Sequence, residues 1–259
     1  MKTTTPAIAI TKPRLQLPAM RGIIERRMLV NYRCDPDAVA RLLPPPFRPQ
    51  LMNGFAVAGI CLIRLGGVRP AFMPAGVGLT SENAAHRIAV EWDENGTTRE
   101  GVFIPRRDTN SRLNQLAGGR LFPGVHHAAD FEVWETGNRF KLEMRSEDNE
   151  TFVRVLARIA ERIPHDSIFQ TLDDASQFFL GGALGWSARP AQAEFDGLEL
   201  HCDAWRMEPL AVERVESSFF SNPRLFPAGS AKFDSAFLMR NIAHEWIGRG
   251  RMHCEGGAQ

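Results

Sequence analysis

The chain of 259 residues is long enough for one large domain, and 44% apolar with 24% charged residues is typical of a soluble globular protein. A net charge of +1 gives no overall attraction to nucleic acid or to an anionic membrane, so we expect neither as a partner. The most apolar run, residues 54–63, is too short to cross a bilayer.

The N-terminal segment 1–20 contains three prolines and little periodicity, which predicts a flexible arm ahead of a single domain at residues 21–250. Apolar and polar residues over 26–32 predict a strand. Asp35-Pro36 then predicts the cap and the first residue of a short helix. Pro44-Pro45-Pro46 should end that helix, because proline disfavours the helical conformation of the residue before it.

Further strands are predicted from their apolar residues at 55–65, 84–92, 99–104, 131–134, 139–144 and 198–220. Residues 151–163 fit either a helix or a strand, and their position after two strands favours a strand. Helices are predicted from Asp108 or Thr109 to Leu116 and over 173–180. Without a repeat or a break in composition, the pattern indicates one β-rich α+β domain.

The segment 119–127 reads Gly-Arg-Leu-Phe-Pro-Gly-Val-His-His. It resembles the active-site segment of the acetoacetate decarboxylases, whose pattern runs Gly-Arg-x-x-x-Gly-aromatic-Pro-Lys-Lys. The glycines and Arg120 match in spacing, whereas the first lysine position falls on His127 and the second on Ala128. The segment therefore resembles that family without its amine nucleophile.

Two other parts of the chain carry the same resemblance, which extends over roughly residues 22–247. Residues 32–44 are similar to the strand-then-helix opening of the family, and 226–246 looks like a group of uncharacterised bacterial proteins in the same superfamily. The resemblance implies a cone-shaped, closed β-barrel with a few peripheral helices and a largely apolar internal cavity. It also implies a homo-oligomer with a small-molecule substrate or ligand.

Lysine chemistry is not expected, although the resembled family forms an iminium through a lysine of lowered pKa. Imidazole at His127 cannot form that stable iminium. Lys141 is predicted on a solvated strand and Lys232 in a loop, so neither is a good substitute.

Proton transfer is instead predicted for His127 and Glu82, with His126 as the alternative to His127. Neighbouring residues of a strand point to opposite faces, and the register of the motif favours His127 as the cavity residue. Glu82 matches a pocket carboxylate of the resembled family, and an apolar cavity would raise its pKa. The alternative for the histidines is a hydrogen-bonded structural role, and the alternative for Glu82 is a surface carboxylate at the end of a loop.

Anion binding is predicted for the densest polar cluster and the motif arginine, because arginine binds carboxylates through two parallel hydrogen bonds. The candidates are Arg107, Asp108, Ser111, Arg112 and Arg120. The structural alternative is that Asp108 caps the following helix and pairs with Arg112.

The sequence thus favours a protein that binds a small oxo acid or carbonyl compound in its cavity. As an enzyme it would be a lysine-independent lyase, isomerase or hydratase; the alternative is a non-catalytic binding or sensing module. No cofactor is expected. A metal-dependent enzyme is a further alternative, although His244-Glu245-Trp246 lacks the second histidine of a zinc-protease helix.

The cysteines give no sign of a metal site or a redox pair, because Cys34, Cys61, Cys202 and Cys254 share no short spacing. The first residues also lack an apolar signal core. We therefore expect a cytoplasmic protein with reduced thiols.

Overall fold

A computed structural model describes residues 8–11, 18–76, 78–116, 124–189, 194–202 and 204–254, and within these ranges it contains fourteen strands and three helices. The strands are β1 Ile8–Thr11, β2 Met20–Cys34, β3 Arg48–Pro49, β4 Leu51–Met52, β5 Phe55–Pro70, β6 Leu79–Glu94, β7 Thr97–Thr109, β8 His126–Thr136, β9 Arg139–Ser146, β10 Phe152–Ile159, β11 Leu184–Ala188, β12 Glu194–Cys202, β13 Glu208–Ser217 and β14 Ala231–Cys254. The helices are α1 Pro36–Ala40, α2 Arg112–Leu116 and α3 Leu172–Gly181. In these ranges, none of the helices has the length and apolarity needed to cross a membrane.

Nine of the described strands close into a ring in the order β7-β8-β9-β10-β13-β14-β2-β5-β6, which returns to β7. Neighbours in the ring are antiparallel, apart from the parallel pair β7–β8. The β-rich fold and the closed sheet predicted from the sequence are confirmed.

A second, smaller ring shares five strands with the first. The hairpin β11–β12 joins β7 to β14, so that seven described strands close in the order β7-β11-β12-β14-β2-β5-β6. The 24-residue β14 makes this possible, because its residues 236–238 pair with β13 and its residues 244–253 pair with β12.

The side chains on the two faces of the shared strands pack in two different hydrophobic cores. On β2, Met28 and Val30 pack in the main hydrophobic core, whereas Leu29 packs in a second core with Phe179 of α3. Alternate side chains of a strand point to opposite faces, so a strand buried on both faces is apolar almost throughout. The large ring is therefore filled by side chains, and α3 packs against the other face of the shared strands.

Several predicted elements are confirmed at their expected places. Helix α1 begins after Asp35, whose carboxylate accepts a hydrogen bond of 2.9 Å from the backbone N–H of Ala38. The ambiguous stretch 151–163 contains a strand, β10, which lies between β9 and β13. The helix expected over 173–180 is α3.

Several predictions were wrong. Strands β11 and β14 were not predicted, and the stretch 198–220 contains parts of two strands, β12 and β13. Strand β5 continues through Gly66 and Gly67 to Pro70, because Arg69 and Pro70 still pair with β2. Asp108 and Thr109 are not helix caps, because they belong to β7, which pairs there with both β6 and β8.

Part of the predicted N-terminal arm is attached to the sheet. Strand β1 pairs antiparallel with the end of β14, where Ile8 lies opposite Cys254 and Thr11 opposite Arg251. The rest of the segment 1–17 lies outside the described residues. Residues 8–11 therefore extend the fold beyond the domain start expected at residue 21.

Candidate functional site

A cavity of about 120 Å³ lies inside the seven-stranded ring. Its apolar lining includes Ile63, Leu65, Val102, Ile104, Leu198 and Leu200. Its polar lining includes Arg27, Cys61, Asn83, Arg87, Arg107, Asp108 and His126. A mostly apolar pocket with a few convergent polar groups is the usual form of a small-molecule site.

A bulge in β7 selects the arginine that faces the cavity. His86 pairs with Arg106 and Ile88 pairs with Phe103, so β7 has one more residue than β6 between these pairs. A bulge of this kind reverses the alternation of side chains along the strand. As a result Arg107 faces the cavity, whereas Arg106 faces the other side of the sheet.

Arg27 brings a guanidinium group from β2 into the cavity. Its Nε donates a hydrogen bond of 3.3 Å to Sγ of Cys61, and its Cζ lies 5.4 Å from the ring centroid of Trp205. Its Nη1 is buried and has no hydrogen-bond partner among the described residues. This donor is therefore available to a ligand.

Arg87 is the most deeply buried of the cavity cations, with 5% of its surface exposed. Its Nη2 donates to Oδ1 of Asn31 at 2.5 Å, and its Cζ lies 4.7 Å from the ring centroid of Phe179. Its Nε has no partner among the described residues. Burial lowers the pKa of Arg87 to about 10, so the group still carries its charge at neutral pH.

Arg107 stands on β7 at the side of the cavity that faces β11. Its Nε and Nη2 donate to Oγ of Ser187 at 3.3 and 3.2 Å. Burial lowers the pKa of Arg107 to about 10, so it also remains a cation at neutral pH.

His126 is the first residue of β8 and pairs with Arg107 across the parallel β7–β8 ladder. Burial, and then the charge of Arg107, lower the pKa of His126 to about 3. The imidazole is therefore neutral at pH 7. A neutral imidazole beside a substrate can polarise a carbonyl group by hydrogen bonding.

The cavity carries a net positive charge. Asp108 is the acidic residue among its described lining, and its carboxylate is already occupied. It accepts hydrogen bonds from Nε of Arg106 at 3.0 Å and from Oγ1 of Thr151 at 3.2 Å. The three cavity guanidinium groups thus favour a small anion, and a carboxylate matches their geometry.

His127 does not line this cavity, which corrects the orientation favoured by the sequence motif. Its Nδ1 lies 3.1 Å from Oδ2 of Asp148, and it borders an outer cleft that also includes Arg189. Adjacent residues of a strand point to opposite faces, and the ladder places His126 on the face of Arg107.

Glu82 also lies away from the lining of the cavity, contrary to the predicted acid–base pair with a histidine. Its carboxylate accepts from Nη2 of Arg26 at 2.5 Å and from Nε of Arg64 at 2.6 Å. Arg26 also pairs with Glu135. Glu82 is therefore the centre of a buried ion-pair network.

The predicted anion-binding residues are separated by the fold. Of this group, Arg107 lines the cavity, and Asp108 borders it with its carboxylate on Arg106. Ser111 lies outside the lining and donates its backbone N–H to Oγ1 of Thr109 at 3.1 Å. Arg112 is exposed on α2. Arg120 lies outside the described residues.

Sequence reasoning missed Arg27, Cys61 and Arg87. A charged residue inside an otherwise apolar stretch was the available signal, as in Ala-His-Arg-Ile-Ala-Val around Arg87. Such a residue must be paired, be exposed or face a polar site, because an unpaired buried charge is costly. That rule does not say which of the three applies.

The lysines of the described ranges lie away from the cavity. Lys141 on β9 and Lys232 on β14 both have exposed side chains. The described lining of the cavity contains no lysine.

The motif His244-Glu245-Trp246 does not assemble a metal centre. The His244 ring packs against Trp246 with centroids 4.4 Å apart, and Glu245 pairs with Arg21 at 3.0 Å. Within the described ranges, the His, Cys, Asp and Glu side chains form no group of three that could hold a metal ion.

Comparison with solved structures identifies the class of fold to which this protein belongs. The chain is 13% identical to acetoacetate decarboxylase from Legionella pneumophila, with a TM-score of 0.60 over 96% of this chain and 93% of that one. It is 13% identical to an acetoacetate decarboxylase-like enzyme from Sphingomonas wittichii RW1, with a TM-score of 0.53 over 93% and 97% of the two chains. For the enduracididine biosynthesis enzyme MppR the identity is 13% and the TM-score 0.55, over 97% of each chain. At this identity the likeness shows the fold alone, which is that of the acetoacetate decarboxylases.

The family follows from the sequence itself. The model of the family DUF2071, described as an uncharacterized conserved protein, matches residues 24–235. The protein therefore belongs to the DUF2071 family. The search of curated proteins finds no match for this chain. The resemblance to an uncharacterised family with an acetoacetate-decarboxylase-like fold is confirmed.

Three described histidines resist protonation in the folded protein. Burial, with a nearby arginine adding to it in each case, lowers the pKa of His86 to about 3, that of His126 to about 3 and that of His244 to about 4. The unfolded chain takes up these protons near pH 6.5.

The free energy of unfolding should therefore fall on acidification below pH 6.5. A group with a lowered folded-state pKa stabilises the fold above its unfolded pKa, and this contribution is lost as the pH falls towards the folded value. Between pH 6.5 and 5 each such histidine costs about 1.7 kcal/mol, so the two buried ones, His86 and His244, together cost about 3 kcal/mol. Urea unfolding across this range measures the loss. His244→Phe should reduce the slope, and a free energy that does not change with pH would contradict the assignment.

Proposed function

We propose that this protein binds a short-chain oxo acid in the cavity of the seven-stranded ring and acts on it without a Schiff base. One observation carries the proposal. Arg27, Arg87 and Arg107 surround a largely apolar cavity that also contains the neutral imidazole of His126. The guanidinium groups recognise the carboxylate, and the imidazole donates a hydrogen bond to the carbonyl oxygen.

The size of the cavity restricts the ligand. Its volume is about 120 Å³, and an engineered protein cavity of roughly 150 Å³ holds one molecule of benzene. Pyruvate has as many non-hydrogen atoms as benzene. Acids of about this size fit, whereas nucleotides or long acyl chains do not.

A solved relative supports the same ligand class. The enzyme MppR, which shares the fold, has a solved structure in complex with the condensation product of pyruvate and imidazole 4-carboxaldehyde. We transfer from this only the chemical class, a pyruvate-type acid held in the same fold.

The reaction class follows from the groups that face the ligand. A neutral imidazole that polarises the carbonyl makes the adjacent carbon easier to deprotonate, and it also favours loss of a leaving group next to that carbon. Nearby cations stabilise the enolate oxygen. This points to lyase, isomerase or hydratase chemistry.

A non-catalytic binding or sensing module is the second candidate. It is favoured by one observation, that the carboxylate of Asp108 is held by Arg106 and leaves the described lining without a free carboxylate base. Turnover of a bound oxo acid separates the two candidates, because a binding module releases its ligand unchanged.

We test ligand binding by titrating the protein with pyruvate and acetoacetate in a calorimeter. Saturable heat with the acids, and none with the neutral pyruvamide, is the expected result because the cavity selects an anion. Absence of heat with both acids contradicts the proposal.

We test the absence of a Schiff base by adding borohydride to the same mixtures and recording the intact mass. The expected mass is that of the unmodified chain, because lysine is absent from the described cavity lining. A mass gain that maps to Lys141 or Lys232 contradicts lysine-independent action.

We also propose that the protein works as a homo-oligomer in the cytoplasm. In the part of the chain that the structure describes, Cys34 and Cys61 form no disulfide, which fits a reducing compartment. Light scattering during size-exclusion chromatography measures the molar mass, and a monomer would contradict the oligomer.

A further inference from the structure

Cys61 lies among the three cationic groups of the cavity. It stands on β5, is buried, and accepts the 3.3 Å hydrogen bond from Nε of Arg27. It lines the same cavity as Arg87 and Arg107. The thiol therefore faces the space in which the proposed carboxylate ligand is held.

A second observation indicates that this space is built for a bound molecule. Arg87 is 95% buried, and its Nε has no hydrogen-bond partner among the described residues. The buried Nη1 of Arg27 likewise has no hydrogen-bond partner among the described residues. Buried polar groups are almost always hydrogen-bonded, so two such donors beside one cavity indicate a ligand that completes them.

Cys34 is a structural cysteine whose surroundings can be compared with those of Cys61. It lies in the main hydrophobic core, where its Sγ has a 3.8 Å contact with the backbone oxygen of Tyr32. Burial raises the pKa of Cys34 to about 12, so that thiol is inert at neutral pH. Cys61 lies in a different place, because it lines a cavity and accepts a hydrogen bond from Arg27.

We propose that Cys61 is a nucleophile that adds reversibly to the carbonyl carbon of the bound oxo acid and forms a thiohemiketal. This inference rests on the proposed function. The sulfur–carbon bond forms as the carbonyl π bond breaks, and the thiol proton ends on the oxygen, which becomes a hydroxyl group. The step needs no oxidant or reductant, and its reversal returns the oxo acid.

The surrounding charges favour this step. Guanidinium groups stabilise negative charge on an attacking sulfur and on the oxygen of a carbonyl under attack. Binding of the carboxylate to an arginine holds the neighbouring carbonyl carbon near the thiol, which replaces a bimolecular encounter with a local one. The same cations thus bind the acid and activate its addition.

The test is the carbon NMR spectrum of pyruvate labelled with ¹³C at the carbonyl carbon, recorded with the whole protein. We expect a protein-bound signal of a tetrahedral carbon, distinct from that of free pyruvate hydrate. The signal should disappear in Cys61→Ala and persist in Cys202→Ala. Calorimetry on the same samples shows whether pyruvate is bound.

The outcomes separate this inference from the function on which it rests. If the native protein binds pyruvate but gives no such signal, or if Cys61→Ala keeps it, the nucleophile is wrong and the binding function stands. If no oxo acid is bound by calorimetry, the proposed function itself fails.

A second measurement uses the native protein, so it tests the inference even if the Cys61→Ala variant does not fold. Iodoacetate forms a sulfur–carbon bond with release of iodide, and peptide mapping measures the reaction at each cysteine. Saturating pyruvate should slow the reaction of Cys61 at least tenfold and leave that of Cys202 unchanged. Equal rates at Cys61 with and without pyruvate overturn the inference.

Discussion

Arg107→Met should weaken the binding of short oxo acids at least about 30-fold. Arg107 is a cation that lines the cavity, and among the described residues its Nε and Nη2 donate to the neutral hydroxyl of Ser187. Removing one member of a buried, hydrogen-bonded charge pair costs about 2–5 kcal/mol, which is roughly a 30-fold to several-thousand-fold increase in Kd. Calorimetric titration with pyruvate measures the change.

Arg112→Met is the matched control. The sequence nominates both arginines for the same role, but Arg112 is exposed on α2 and lies outside the cavity lining. Its replacement should leave the affinity within about twofold, since isolated surface charges contribute little. Equal losses in the two variants would show that the carboxylate is not bound in this cavity. A melting curve for each variant shows that its fold is retained.

Glu82→Gln should lower the stability of the protein far more than its ligand affinity. Arg26 is 2% exposed and depends on Glu82 as one of its two carboxylate partners, the other being Glu135. Breaking a buried ion pair by removing one partner costs about 3–5 kcal/mol. For a domain of this size, that is a fall in Tm of roughly 6–20 °C.

A double variant tests whether the loss of stability comes from the buried charge of Arg26 that Glu82→Gln leaves without its partner. Arg26→Met combined with Glu82→Met should melt above Glu82→Gln, because apolar replacement of a buried pair is often neutral or stabilising. The proton-transfer role that the sequence predicted for Glu82 leads to a different expectation. If Glu82 transfers protons, Glu82→Gln should melt like the native protein and lose activity.

The sequence motif could not predict which of His126 and His127 faces the cavity. The alternation of side chains along a strand establishes that the two histidines face opposite sides. The side that each faces depends on the parallel pairing of β8 with β7, in which His126 lies opposite Arg107. Aligning the motif without that ladder favoured His127.

Glu82 shows a different limit. Glu82 is buried, but it does not line the cavity. Its partners, Arg26 and Arg64, come from β2 and β5 and lie 56 and 18 residues away in the sequence. Pairings of this kind depend on the register of three strands, and no local pattern encodes that register.

The sequence alone determined the features that depend on local chemistry. Apolar runs and alternation predicted many of the strands, although not β11 or β14. Asp35-Pro36 predicted the start of α1, and the spacing within residues 119–127 pointed to the acetoacetate-decarboxylase-like fold. The small number of lysines, four against 27 arginines, is likewise a property of composition alone. These features rest on single strands, turns and residue types, so neighbouring residues suffice to define them.

Only the tertiary structure decided which residues line the candidate site. Closure of two rings brings together Arg27 of β2, Cys61 of β5, Arg87 of β6, Arg107 of β7 and His126 of β8. The bulge that turns Arg107 inwards exists because β6 and β7 pair around an extra residue. A site assembled from five strands is a property of their register and closure, and these are fixed by contacts between residues distant in the chain.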